Sequence, residues 1–167
     1  NYYYLMDVFG NVPFTEKVLI GELPEQIQRA ALFTYIESEL IAIENSMYEP
    51  RQAPFGRADR VAAWLLRARI YLNAEVYTGT ARWGDAATYA KMVMDSPYDL
   101  ADNYAELFMA DNDANPRAMK EIILPIRQDG INTVSYGGSL YLIAATHTSG
   151  MTPWGTSEGW GGVRARK

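Results

Sequence analysis

The chain has 167 residues, 49% of them hydrophobic and 13% aromatic, enough to bury a sizeable core, roughly 70% of its unfolded surface by the usual scaling. Fifteen basic residues against twenty acidic ones give a formal charge of −5, which argues against a nucleic-acid surface. The lack of cysteine excludes disulfides, thiolate metal sites and cysteine nucleophiles without naming a compartment, and no apolar run reaches the ~18 residues of a membrane span.

The chain opens on Asn1-Tyr2-Tyr3-Tyr4, inside a helix that ends at Gly10. With neither an initiator Met nor a basic-then-apolar leader, it is expected to be a central piece of a longer protein. Residues 11–28 read as a loop carrying Pro13, Gly21 and Pro24. Leu32, Ile36, Leu40, Ile43 and Met47 then recur at helical spacing and mark an amphipathic helix over 29–47. Pro50, Pro54 and Gly56 break it.

From Arg57 to Gly79 the positions Val61, Leu65, Ala68, Leu72 and Val76 form one apolar stripe of a helix. Small residues alternate with large ones along it, so a second helix can approach closely. That helix follows at once, with Thr80 as its expected cap and Trp83, Ala87, Ala90 and Met94 at the same spacing. Asp95-Ser96-Pro97 stops it. Such a hairpin, closed by a proline, is the unit of a tetratricopeptide-like repeat. Leu65 and Ala90 are expected at its helix–helix contact, and Trp64, Tyr71, Trp83 and Tyr89 in the core.

A short helix is expected over Asn103–Met109. After it comes a turn-rich polar segment, Asp111-Asn112-Asp113-Ala114-Asn115-Pro116. Glu121-Ile122-Ile123-Leu124-Pro125-Ile126 suits a short strand, pushed to an edge by Pro125. From Gly130 onward glycine, aromatic, serine and threonine residues dominate and periodicity fades. The expected fold is mainly α: a helical repeat scaffold over 1–110, and a loop-rich region with a short strand or two over 111–167.

The sequence resembles a known family in four ordered motifs. They are Tyr4-Leu5-Met6-Asp7-Val8-Phe9-Gly10-Asn11-Val12-Pro13-Phe14; Tyr71 to Gly79 with Trp83 and Tyr89-Ala90; Asn103-Tyr104-Ala105-Glu106-Leu107-Phe108; and Ser135-Tyr136-Gly137-Gly138 with Gly159-Trp160-Gly161-Gly162. On these the chain is similar to the SusD/RagB family, surface glycan-binding proteins of Bacteroidetes, and closest to the starch-binding member from which the family takes its name. The resemblance implies non-catalytic capture of a polysaccharide, starch or another α-glucan, at the bacterial surface. It also implies delivery to a SusC-type TonB-dependent outer-membrane transporter, attachment through a lipidated N-terminus absent from this chain, and no required cofactor.

Tyr136, Tyr141, Trp154 and Trp160 sit among glycines of the last forty residues. Glycine permits backbone paths that hold a ring clear of its neighbours, and an aromatic plane is the natural partner of a sugar's C–H face. On composition alone these rings better suit a plug beneath a long loop. The resemblance implies a glycan-binding role for Tyr136 and Trp160, with Trp154 adjacent.

Asp111 and Asp113, with Asn112, offer oxygens to Ca²⁺, which takes six to eight; the rest of an EF-hand loop is missing, and a self-capping turn explains the same residues. Calcium occurs in some members of the resembled family. The sole histidine, His147, excludes multi-histidine metal sites. Gly137-Gly138-Ser139-Leu140-Tyr141 ends in Tyr where a nucleophile elbow needs Gly, and no phosphate loop or dinucleotide fingerprint occurs. An enzyme is not expected. The rival reading is a tetratricopeptide adaptor that binds proteins through its repeat helices and has no sugar site.

Overall fold

The computed structural model describes residues 1–18, 21–109, 111–127, 145–146 and 159–162. The chain divides into two compact units, Asn1–Pro125 and Ile126–Lys167. In the first unit α1 (Tyr2–Phe9) ends at Gly10, which adopts φ 76° and returns its amide to the Met6 carbonyl. Two short strands follow, β1 (Val12–Pro13) and β2 (Gln26–Ile27), paired antiparallel with Val12 opposite Ile27. They lie within the segment read as loop. Two-residue strands are too brief to show alternation, and Pro13 brings no amide to the ladder, so periodicity could not reveal them.

Helix α2 (Arg29–Glu44) has no side-chain cap of its own residue. Its first amide is met instead by Asn11 Oδ1 at 2.9 Å. Arg29 reaches back to the Met6 and Asp7 carbonyls at the end of α1, where a cation suits the carbonyl-rich helix terminus. Leu32, Phe33, Ile36 and Leu40 are buried, as the helical period predicts, whereas Ile43 is exposed.

The helix expected from 57 to 79 is two helices. Asp59 starts α3 (Arg60–Leu72), its Oδ1 accepting the amides of Val61 at 2.9 Å and Ala62 at 3.3 Å. Asn73 breaks it, its amide nitrogen donating to the Arg69 carbonyl, the local competition by which Asn interrupts helices. Helix α4 (Ala74–Thr78) then closes on Gly79 in the left-handed region.

The buried face is also turned from the expected stripe. Ala63, Arg67, Ile70, Tyr71, Ala74 and Tyr77 are buried together with Val61 and Ala68, while Leu72 and Val76 are exposed and Leu65 is only half-buried. The tyrosines take the inner face because their hydroxyls find partners there, Tyr71 with Glu37 and Tyr77 with Asp7.

Helix α5 (Trp83–Met94) packs along α3. Thr80 does not cap it; the cap position is Arg82, and Thr80 gives its amide to the Thr78 hydroxyl. Ala86 faces inward, Ala90 is half-buried, and Trp83 and Met94 are exposed. The expected inward Trp83 is therefore corrected: it opens the helix and is exposed. Of the other rings placed inward, Tyr71 is buried and Trp64 and Tyr89 are half-buried.

Beyond α5 the short helix is a 3-10 helix, Tyr104–Phe108, followed by the polar turn and α6 (Pro116–Met119). The strand expected at 121–126 is irregular backbone in this structure, with Leu124 and Ile126 exposed. An apolar run makes a strand only where a backbone ladder forms with a neighbour, and among the described residues the adjacent segment gives Lys120 and Glu121 single bonds and no ladder. The fold is mainly α. No helix among the described residues is long and apolar enough to cross a membrane.

Candidate functional site

Trp160 is the candidate ring whose placement is described. Gly159 precedes it, and Gly161, at φ 64°, follows in the left-handed region that a side chain resists. A Cβ placed on Gly162 would meet nothing within 4 Å. This open backbone presents an indole that is 53% exposed. A ring so held offers an apolar plane to the C–H face of a sugar, and by analogy with aromatic pairs each such stack adds about 1 kcal/mol beyond area burial. Tyr136, Trp154 and His147 lie outside the described residues.

The acidic segment is a turn. The Asp111 carbonyl accepts the amides of Ala114 at 3.0 Å and Asn115 at 2.9 Å. Asn115 caps α6 through the Arg117 amide, and Asn112 donates to the Leu107 carbonyl at 2.8 Å. Glu106 is held by Arg117 at 2.7 Å and by Asn115; the bond from Arg117, opposed by burial, keeps its carboxyl below the usual range. Asp111 and Asp113 are exposed. Two carboxylates fall short of a calcium shell, and no group of three or more metal-ligating side chains meets among the described residues.

The helices of the first unit share a partly buried polar chain. Glu44 on α2 accepts from Trp64 Nε1 at 2.9 Å and pairs with Arg67 at 2.6 Å. Arg67 donates to the Tyr71 hydroxyl, which donates to Glu37, and Glu37 pairs with Arg82 at 3.0 Å. The Arg67 guanidinium also lies 3.9 Å from the centroid of Tyr89. Burial pushes the Tyr71 hydroxyl up from its ordinary value. Its members are four to forty-five residues apart, so no local pattern announces it; the one signal was an arginine, Arg67, on the inner face of an apolar helix.

No family model matches the chain. It is 55% identical over 166 residues, 99% of its length, to the starch-binding protein SusD of Bacteroides thetaiotaomicron. A crystal structure of a SusD-like protein from Bacteroides fragilis matches 96% of this chain with a TM-score of 0.65 at 21% identity, a likeness of fold. The chain spans 30% of the length of each. With the four ordered motifs and this identity along nearly every residue, the chain is similar to SusD over the part of that protein it spans.

Proposed function

We propose that this chain is part of a non-catalytic protein that binds polysaccharide, starch or another α-glucan, at the bacterial cell surface. Its identity of 55% over 166 residues to a protein named for starch binding carries the reading. The half-exposed Trp160 supports it, because a neutral sugar polymer is gripped by ring faces and needs no cofactor. Residues 111–167 form the binding region in this proposal, with Tyr136 and Trp160 stacking on pyranose rings and Trp154 beside them.

Multivalent contact lets several weak stacks sum to useful retention. The captured chain is then handed to a SusC-type TonB-dependent outer-membrane transporter, with the protein held to the outer membrane by a lipid anchor. Affinity electrophoresis of the intact protein through gels holding starch, xylan or mucin glycan tests the ligand class. Retardation by starch alone supports the proposal. Equal mobility in every gel contradicts it, and retardation by another polymer alone replaces the α-glucan.

A further inference from the structure

The segments 98–109 and 111–121 are tied to one another by bonds of their own. The Asp99 amide donates to the Lys120 carbonyl at 3.2 Å, and the Ala101 amide to the Glu121 carboxylate at 2.9 Å. Arg117 holds Glu106 at 2.7 Å, and Lys120 meets Asp102 at 3.3 Å. The 3-10 helix, the acidic turn and α6 thus form one cross-linked piece.

Arg51 joins that piece to the repeat helices. Its guanidinium lies 3.9 Å from the centroid of the Tyr98 ring, and donates to the carbonyls of Met119, at 2.6 Å, and Lys120. Both carbonyls lie at the end of α6, where acceptors lack intrahelical partners, and one planar fork serves both, sharing that of Lys120 with the Asp99 amide. The backbone of Arg51 pays a conformational cost for this reach: φ is 66°, a region that L side chains avoid. Asp59 fixes it there. One Asp59 oxygen accepts the Arg51 amide at 2.8 Å and the Tyr98 hydroxyl at 2.8 Å, while the other caps α3. Asp59 is wholly buried, so the anchor is as rigid as the helix it starts.

We propose that the segments 98–109 and 111–121 form a strap that closes on the repeat helices, and opens from them, as one unit fastened by Arg51. Cooperative local opening of this kind is drawn from segments with their own internal bonds and few ties to the core. A backbone held in a sparsely populated conformation marks where the fastening is concentrated.

Hydrogen exchange of the intact protein, read residue by residue, tests the strap. In Arg51→Ala the amides of Asp99, Ala101, Asn115 and Met119 should exchange on the order of tenfold faster, the loss expected for bonds to a charged donor. Amides of α3 and α5 should keep their rates. Arg51→Lys should fall between, since an ammonium keeps the charge without the fork. Rates that rise equally in α3 and α5, or an Arg51→Ala protein that does not fold, would make Arg51 part of the core and overturn the proposal. Unchanged rates in the strap would overturn it as well. Tyr98→Phe keeps the ring under Arg51 and removes only the hydroxyl, so a smaller acceleration confined to the strap supports the proposal, and one confined to α3 contradicts it.

Discussion

Tyrosines of the repeat helices and the tryptophan of the glycine-flanked tail are aromatic side chains used in opposite ways. Tyr71 and Tyr77 are 1% and 5% exposed, their rings packed among apolar neighbours and their hydroxyls satisfied. Trp160 is 53% exposed on a backbone opened by glycines. The difference lies in what surrounds each ring. Where a helix supplies regular neighbours and a polar partner, the ring becomes structure; between glycines, the ring keeps half its surface exposed. Trp83 sharpens the lesson, for it sits on a helix and is 61% exposed. Helical spacing alone does not bury a ring.

The strongest way to break this contrast is Tyr71→Ala. It removes a fully buried ring and severs both the Arg67 and Glu37 bonds, and should cost about 3–5 kcal/mol by denaturant unfolding. A loss under about 1 kcal/mol would show that Tyr71 is no more structural than an exposed ring.

Arg67→Ala comes next. It strands Glu44, whose side chain keeps 21% of its exposure; that residual hydration places the expected loss at about 2–3 kcal/mol, below that of a fully buried broken pair. A double cycle with Glu44→Gln should recover part of it, and strict additivity would mean the pair is not coupled.

High pH probes the strap. Burial first, then the bond to Asp59, pushes the Tyr98 hydroxyl up to about 12 from 10.0. Folding therefore favours the protonated phenol. Its contribution is complete below pH 10 and is lost as pH rises through about 12. Thermal melts across that window should show a loss that Tyr98→Phe lacks; the same loss in both proteins would assign it to other groups. The smallest effect concerns Asp113. If its turn serves calcium, Asp113→Ala lowers the melting temperature in Ca²⁺ and leaves it unchanged in chelator, whereas equal shifts in both assign the residue to the turn alone.

Much of the helical framework was legible because burial writes itself as a period: the expected Leu32, Ile36 and Leu40 line the inner face of α2, joined by Phe33. What escaped was set by single polar groups and distant partners. Asn73 divided one expected helix, and tyrosine hydroxyls, invisible to a hydropathy pattern, turned the inner face from Leu72 and Val76 towards Tyr71 and Tyr77. The strand expected at 121–126 failed because its neighbour gives single bonds and no backbone ladder among the described residues, which a sequence does not display. Of the candidate binding rings, Trp160 stands half-exposed between glycines. The buried Asp59 that fastens Arg51 and Tyr98 gave no local sign, since its partners lie eight and thirty-nine residues away.

The central claim is that Trp160 binds sugar and does not hold the fold. Polysaccharide retardation and thermal unfolding of Trp160→Ala, measured side by side on the intact protein, test it most directly. The account predicts strongly weakened retardation with stability within about 0.5 kcal/mol of the parent, as for an exposed ring. Unfolding of the variant, or unaltered retardation by starch, would contradict it.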